Sequence, residues 1–170
     1  MSDVPGRDPA VHASRSITAT LEEARAATEQ MAARARRLLT IYTPDLESRL
    51  YDQPRFLELL KKLVLARGYA RVRVLLSNPA RLVWDASQFV RLARRITSHI
   101  DIRPAHPDYR DNPCGCVIAD HHALFYRAQA SDWHGIVETD APAVARRYLD
   151  WFDEVWMASD PDAALRRQQQ

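Results

Sequence analysis

Residues 71–77, Arg-Val-Arg-Val-Leu-Leu-Ser, are the clearest strand in the sequence. Valine and leucine dominate this run and Asn78-Pro79 ends it, a pattern typical of a buried strand. A helical segment comes directly before it, because Pro54 suits a first helical turn and Gly68 suits the exit from a helix. The stretch therefore predicts a helix followed by a central strand, which is the repeating unit of α/β domains.

Helices and strands alternate on both sides of this unit. Upstream, Thr20 to Glu23 has the form of a capping box that opens a helix, and Leu38 to Thr43 has the composition of a buried strand. Downstream, we predict a helix around residues 82–97, then four strands, HIDIR, CGCVIAD, ALFYR and GIVET, and a last helix from Ala141 to Ala158. Early strands separated by helices favour parallel pairing, and later hairpins favour antiparallel pairing. The expected fold class is α/β, with a mixed β-sheet sandwiched between helices (α-β-α).

The expected domain covers residues 16–159. Residues 1–15 are rich in polar and turn-forming residues without periodicity, and they predict a disordered N-terminal tail; residues 160–170 predict a frayed C-terminal tail. No apolar run approaches the roughly 20 residues that a membrane span needs, and the N-terminus lacks the apolar block of a signal peptide. We expect a bacterial-type cytoplasmic protein with no membrane span.

The charge pattern allows two interpretations. A net charge of +2 is too small to establish a nucleic-acid binder. Lysine occurs only at Lys61 and Lys62, so 22 of the 24 basic residues are arginine. A GC-rich genome favours arginine codons, while the alternative is that arginine is recruited to grip phosphate with its planar fork.

Several segments in this order resemble one half of the phospholipase D superfamily, over roughly residues 20 to 158. That resemblance implies a strand of the form VRVLL after a helix that ends near glycine, a later strand ending in aspartate, and a last helix with Phe-x-x-x-Trp. The matching segments are Ala66-Arg67-Gly68, Val72-Arg73-Val74-Leu75-Leu76, Val117-Ile118-Ala119-Asp120 and Phe152-Asp-Glu-Val-Trp156. More narrowly, the chain looks like a bacterial phospholipase D-like domain of unknown function.

The resemblance also implies that the reaction centre of that superfamily is missing. Its motif is His-x-Lys-x-x-x-x-Asp, and if Asp120 aligns with the aspartate, histidine is replaced by Pro113 and lysine by Gly115. The chemistry needs an imidazole as nucleophile and an ammonium to hold the phosphate oxygens. No His-x-Lys pair occurs anywhere in the chain, so no catalytic residue is predicted.

The segment around the two cysteines has rival interpretations. Cys114 and Cys116 lie two positions apart and therefore share one face of a strand, and with His121 or His122 they have the residue types of a zinc site. Redox-active thiols are a second alternative, and buried or incidental cysteines are the third, which we favour. The two histidines are expected at a hairpin turn. We predict no metal and no cofactor.

A candidate pocket is predicted where polar residues follow the first strand, since ligands of this fold class gather beyond strand ends. The structural alternative is a capped loop that feeds the next helix. The candidate pocket residues are Tyr42, Asp45, Glu47, Tyr51, Arg103, Asp120, His121, His122 and Arg127.

Three hypotheses for function follow. The first is a non-catalytic binding or regulatory domain whose ligand or partner is unknown, with a phosphate-bearing ligand, a nucleic acid or a protein as the options. The second is a phosphodiesterase-like or nuclease-like enzyme with a rebuilt site that uses Asp120, His121 or His122, and Arg127. The third is a nucleic-acid-binding module. Paired halves in the superfamily further imply a homodimer.

Overall fold

The computed structural model describes residues 14–159. Its seven strands are β1 (Arg15–Thr18), β2 (Leu38–Thr43), β3 (Arg71–Leu76), β4 (Ile100–Pro104), β5 (Gly115–Ala119), β6 (Ala123–Arg127) and β7 (Gly135–Glu138). Its α-helices are α1 (Leu21–Arg34), α2 (Ser48–Tyr51), α3 (Pro54–Ala66), α4 (Gln88–Arg95) and α5 (Pro142–Ala158). Short 3-10 turns lie at Pro79–Arg81, Trp84–Ala86 and Pro107–Tyr109.

All seven strands form one mixed sheet in the order β1-β7-β6-β5-β2-β3-β4. The pairs β2–β3 and β3–β4 are parallel, because a helical crossover separates the two strands of each pair. β5 pairs antiparallel to β2, and β6, β7 and β1 continue antiparallel toward the edge. The predicted switch from parallel to antiparallel pairing is confirmed.

The sheet separates two hydrophobic cores, so the predicted α-β-α layering is confirmed. One core packs α1, α3 and α4 against one face of the sheet. The other packs α5 against the opposite face, where Leu149, Phe152 and Val155 meet strand residues such as Leu75 and Ile118. The alternation along β3 explains this division, since Val74 belongs to the first core and Leu75 to the second.

Three local features differ from the sequence prediction. The helix expected around residues 82–97 is shorter, because Ser87 caps it by accepting a hydrogen bond from the amide of Val90, and the 3-10 turn Trp84–Ala86 replaces its earlier part. Part of the polar loop after β2 forms the short helix α2. Strand β1 was not predicted, and it includes Arg15, which pairs with Glu138 of β7. Glu138 lies 123 residues after Arg15 along the chain, so no local pattern indicates the pairing of β1 with β7.

The longest described helix, α5, has 17 residues. Within residues 14–159, no helix has both the length and the apolar character needed to cross a membrane. The tails expected at residues 1–15 and 160–170 lie outside the described residues, apart from Ser14 and Arg15.

Candidate functional site at the strand ends

Gly115 and Arg127 are direct partners in the β5–β6 ladder, so their side-chain directions share one face of the sheet. The guanidinium of Arg127 folds over the glycine. A Cβ atom built on Gly115 would lie 2.7 Å from Arg127 Nη2 and 3.1 Å from Cζ, which is closer than real contacts allow. Position 115 is therefore covered by an arginine that comes from the neighbouring strand.

Glu47 neutralises this arginine. Arg127 Nη2 donates to both carboxylate oxygens of Glu47, at 2.8 Å and 2.7 Å. Nη1 donates to the carbonyl oxygens of Ala130 and Asp132, at 2.7 Å and 3.1 Å. Since Arg127 is only 1% exposed, the pair lies in a desolvated setting in which its hydrogen bonds are strong.

Local hydrogen bonds to neighbouring residues position Glu47. Thr43, the last residue of β2, donates its hydroxyl to Glu47 Oε2 at 3.1 Å. The backbone carbonyl of Glu47 accepts the amides of Leu50 and Tyr51, which begins α2. Burial raises the pKa of Glu47, and the charge and hydrogen bonds of Arg127 oppose that rise. Burial also raises the pKa of Tyr51, which packs edge-on against Phe56 beneath this pair.

A cleft of about 510 Å³ opens beside the ion pair, at the carboxyl ends of the parallel strands. Asp45 and Arg81 form an ion pair across it at 3.4 Å. Asp52 also lines the cleft, and its carboxylate accepts the amide of Phe89 at 3.1 Å. The remaining lining is mixed: it includes the guanidinium of Arg49 and hydroxyl, aliphatic and indole groups, among them those of Ser48, Ser87, Ser131, Leu82, Val83 and Trp133.

Both cysteines lie on the other face of the sheet, in the core beneath α5. Burial raises the pKa of the Cys114 thiol to about 12 and that of Cys116 well above its ordinary value. Both are free and buried, so at neutral pH they are protonated and behave as small apolar groups. In the part of the chain that the structure describes, no three histidine, cysteine or acidic side chains converge as metal ligands would.

Asp120 lies at the far end of β5 from Gly115. Its carboxylate accepts the amide of Arg37 at 2.8 Å, that of Leu38 at 3.0 Å and that of Arg36 at 3.1 Å and 3.2 Å. It adopts a left-handed backbone conformation with φ 53°, as turn-forming aspartates do. At about 3.4 Å per residue it is some 17 Å along the strand from Gly115. Asp120 therefore holds the start of β2 and does not face the cleft.

The structure does not bring the nine candidate pocket residues together. Asp45 and Glu47 line the cleft, Arg127 pairs with Glu47, and Tyr51 is buried. His121 and His122 follow Asp120 in the turn at the opposite end of β5, as the hairpin prediction requires.

Tyr42 and Arg103 belong to the α5 side. The hydroxyl of Tyr42 donates to the carbonyl of Asn112 at 3.2 Å, and its ring meets Trp151 edge-on. Burial raises the pKa of Tyr42 to about 12. The guanidinium of Arg103 lies 4.0 Å from the centre of the Trp156 ring and bonds to Asp101.

Sequence reasoning missed the relationship between Gly115 and Arg127. One signal was available, because a glycine inside a strand often marks a place where another group approaches closely. Arg81, Ser131 and Trp133, which line the cleft, come from loops without periodicity and carried no such signal.

The profile of a family described as "Domain of unknown function (DUF7931)" matches residues 20–168. No curated protein matches the chain. Among solved structures, the archaeal chromatin protein TrmBL2, described as showing a novel mode of DNA binding, is similar with a TM-score of 0.63 and 13% identity, over 94% of this chain. The chain spans only 57% of the length of that protein.

Two further solved structures are also similar. Nuc from Salmonella typhimurium, a phospholipase D family member, has a TM-score of 0.56 and 14% identity, covering 86% of this chain and 97% of its own. NucT from Helicobacter pylori has a TM-score of 0.58 and 9% identity, covering 87% and 98%. At such identities the likeness concerns the fold alone, and the predicted phospholipase D-like fold is confirmed.

Proposed function

We propose a non-catalytic binding role for this chain, which belongs to the DUF7931 family. The observation that carries the proposal is the placement of the Arg127 guanidinium over Gly115. In the phospholipase D motif, a lysine at this position has to reach a phosphate oxygen. Here the same volume is filled from the neighbouring strand, and no imidazole stands two residues earlier, where the chain has Pro113.

Arg127 is a poor substitute for that lysine because its terminal donors are already used. Its Nη2 atom donates to the two carboxylate oxygens of Glu47, and its Nη1 atom donates to two backbone carbonyl oxygens. A phosphate that approached would have to displace a carboxylate from a buried pair, which leaves an unpaired charge in a desolvated site. These contacts support a structural role for Arg127.

The cleft itself favours a small polar ligand over a phosphate. The carboxylates of Asp45, Glu47 and Asp52 outnumber the two arginines that line it, Arg49 and Arg81, and Arg81 is paired with Asp45. Hydroxyl or amino groups on a ligand match these acceptors, and Trp133 offers an apolar surface. A binding module with a ligand of this kind is the function that the geometry supports best.

The rebuilt enzyme is less well supported, since its proposed members are dispersed. Asp120 is occupied by three backbone amides, and Arg127 lies at the other end of β5. A direct test measures hydrolysis of bis(p-nitrophenyl) phosphate and of plasmid DNA, with and without Mg²⁺ or Zn²⁺. We expect the rate of the buffer blank. Turnover that copurifies with the protein and is lost in a His121→Ala/His122→Ala variant would overturn the proposal.

We include a homodimer in the proposal, as the fold analogy implies. An exposed apolar pair supports it, because Ile17 and Ile136 are register partners at the β1 edge of the sheet and are 72% and 41% exposed. Light scattering should give the mass of two chains. Ile17→Lys should give a monomer, whereas Met157→Lys, at an exposed position on α5, should not. A monomeric wild-type protein would contradict this part.

A further inference from the structure

The amino ends of the three parallel strands meet at the edge of the sheet opposite the cleft. The segments that lead into β2, β3 and β4 lie there side by side, because parallel strands enter the sheet at the same end. These segments carry a concentration of arginine with one tyrosine and one histidine. We call this surface the basic edge, and its residues are Arg36, Arg37, Arg67, Tyr69, Arg71 and His99.

Contacts between its members show that the basic edge is continuous. Arg67 Nη1 donates to the carbonyl of Arg36 at 3.4 Å. The guanidinium of Arg37 lies over the ring of Tyr69, 5.4 Å from its centre. Arg71 donates its backbone amide to the carbonyl of Arg37 at 2.8 Å, and its guanidinium lies 3.2 Å from His99 Nδ1. The chain of contacts therefore runs from β2 across β3 to β4.

The charge of the basic edge is not neutralised internally. Six arginines elsewhere in residues 14–159 pair with carboxylates, but Arg36, Arg37, Arg67 and Arg71 have no carboxylate partner among the described side chains. The one carboxylate bonded to this segment, Asp120, is directed at its backbone amides. Arginines that lie only on the exposed face of one helix would not be expected to converge, as these do, from the two separate segments that lead into β2 and β3.

The basic edge continues onto the α5 side through a second cavity of about 280 Å³. Arg71 and His99 line this cavity together with Arg73 and Arg103. Arg73 bonds to Asp153, yet its Nε atom is buried and has no hydrogen-bond partner among the described residues.

We propose that the basic edge binds the phosphodiester backbone of a nucleic acid. Planar guanidinium forks match phosphate oxygens, and Tyr69, 57% exposed, adds an aromatic surface beside them. Neighbouring strands lie about 4.8 Å apart, so loops before three strands extend over roughly 10 Å. That length matches about three successive phosphates of one strand, which are spaced about 3.4 Å along a duplex axis.

The proposal rests on the proposed function only in treating the domain as a binding module, since the edge lies away from the cleft. Binding is measured by fluorescence anisotropy with labelled duplex DNA, single-stranded DNA and single-stranded RNA over a salt series. The edge variant is Arg36→Gln/Arg37→Gln/Arg67→Gln. Arg55→Gln/Arg146→Gln/Arg147→Gln is the control, because it removes the same charge from exposed positions on α3 and α5.

Wild-type protein should bind at low salt, with log affinity falling against log salt by about 0.9 for each phosphate contact on duplex, or about 0.7 on a single strand. For three contacts this means roughly a 40-fold loss of duplex affinity between about 50 and 200 mM salt. The edge variant should bind at least tenfold more weakly and lose most of that salt slope, while the control stays within about threefold of wild type. Comparing the affinities for the three probes identifies which type of nucleic acid the basic edge prefers.

Three results would overturn the proposal. They are no binding at low salt, equal losses in both triple variants, and tighter binding to anionic lipid vesicles or to polyglutamate than to any nucleic acid. These failures leave the non-catalytic cleft untouched. Conversely, turnover in the phosphodiester assay would remove the proposed function while leaving the edge measurement valid.

Discussion

The guanidinium of Arg127 occupies the volume that any side chain at position 115 would need. The two residues pair across β5 and β6, and an added Cβ at Gly115 would approach Arg127 Nη2 to 2.7 Å. The arginine cannot move aside easily, because four hydrogen bonds hold its terminal nitrogens. Glycine is thus required at position 115 because Arg127 leaves no room for a Cβ atom. Backbone conformation is not the reason, since the φ of Gly115 is not positive.

Gly115→Ala should therefore lower the free energy of unfolding by roughly 1–3 kcal/mol, the usual cost of overpacking a filled interior. Urea denaturation followed by circular dichroism measures it. Gly68→Ala is the matched control, since an added Cβ there meets nothing within 4 Å. The control should be neutral or more stable by up to about 1 kcal/mol. Equal stability of the two variants would show that Arg127 yields freely.

Glu47→Gln should be more damaging than the loss of any surface ion pair. It leaves Arg127, whose side chain is 2% exposed, without a counter-charge, and breaking one partner of a buried pair costs roughly 3–5 kcal/mol. Asp45→Asn is the control, because its partner Arg81 is 67% exposed and such pairs contribute at most about 1 kcal/mol. Thermal and urea unfolding compare the variants.

A double variant separates the effect of charge from the effect of shape. Glu47→Gln/Arg127→Met removes both charges, so it should recover part of the stability that Glu47→Gln alone loses. If the double variant is as unstable as the sum of the two single changes, the pair does not act as a unit.

Sequence patterns predicted the elements of this fold well where the causes are local. Leu38–Thr43 was predicted with the bounds that the structure has, because a compact apolar run is typical of a central strand that is buried on both faces. The hydroxyl of Thr20 accepts the amide of Glu23, as the capping box requires. β1 was not predicted because Ile17 pairs with Ile136 of β7, which is far away along the chain.

The site was less predictable than the fold for the same reason. Asp45 and Glu47 line the cleft beyond the end of β2, whereas Asp120, which was grouped with them, lies at the far end of β5 from the cleft. A pattern along the chain gives the face of a residue and leaves open which end of the sheet it reaches. The direction of β5, and hence the end of the sheet at which Asp120 lies, follows from the antiparallel pairing of β5 with β2.

The buried thiols predict a loss of stability at alkaline pH. In the folded protein the pKa of Cys114 is raised to about 12 by burial, from an ordinary value of 9.0. A raised pKa means that the folded state holds the proton more tightly, so this contribution is complete below pH about 9 and is lost as pH rises toward about 12. The urea midpoint should fall across that window. In Cys114→Ala the fall should be smaller, and an unchanged pH profile would contradict the assignment.

Asp120→Ala should destabilise the domain without touching any ligand site. The substitution removes the acceptor for the amides of Arg36, Arg37 and Leu38, and it places alanine at a left-handed φ of 53°. Together these effects should cost roughly 2–4 kcal/mol. Asp120→Asn keeps one carbonyl acceptor and tolerates that conformation, so about 1 kcal/mol is expected.

His121→Ala is the control for this series, since its side chain is exposed in the same turn and should change stability by less than about 0.5 kcal/mol. Amide hydrogen exchange gives the sharper measurement, because protection at residues 36–38 should drop in Asp120→Ala and persist in His121→Ala. If exchange at those amides is unchanged in Asp120→Ala, the carboxylate does not anchor the entry to β2. A role for Asp120 in binding or chemistry would then have to be considered again, because no structural role would explain its left-handed backbone conformation and its position beside these amides.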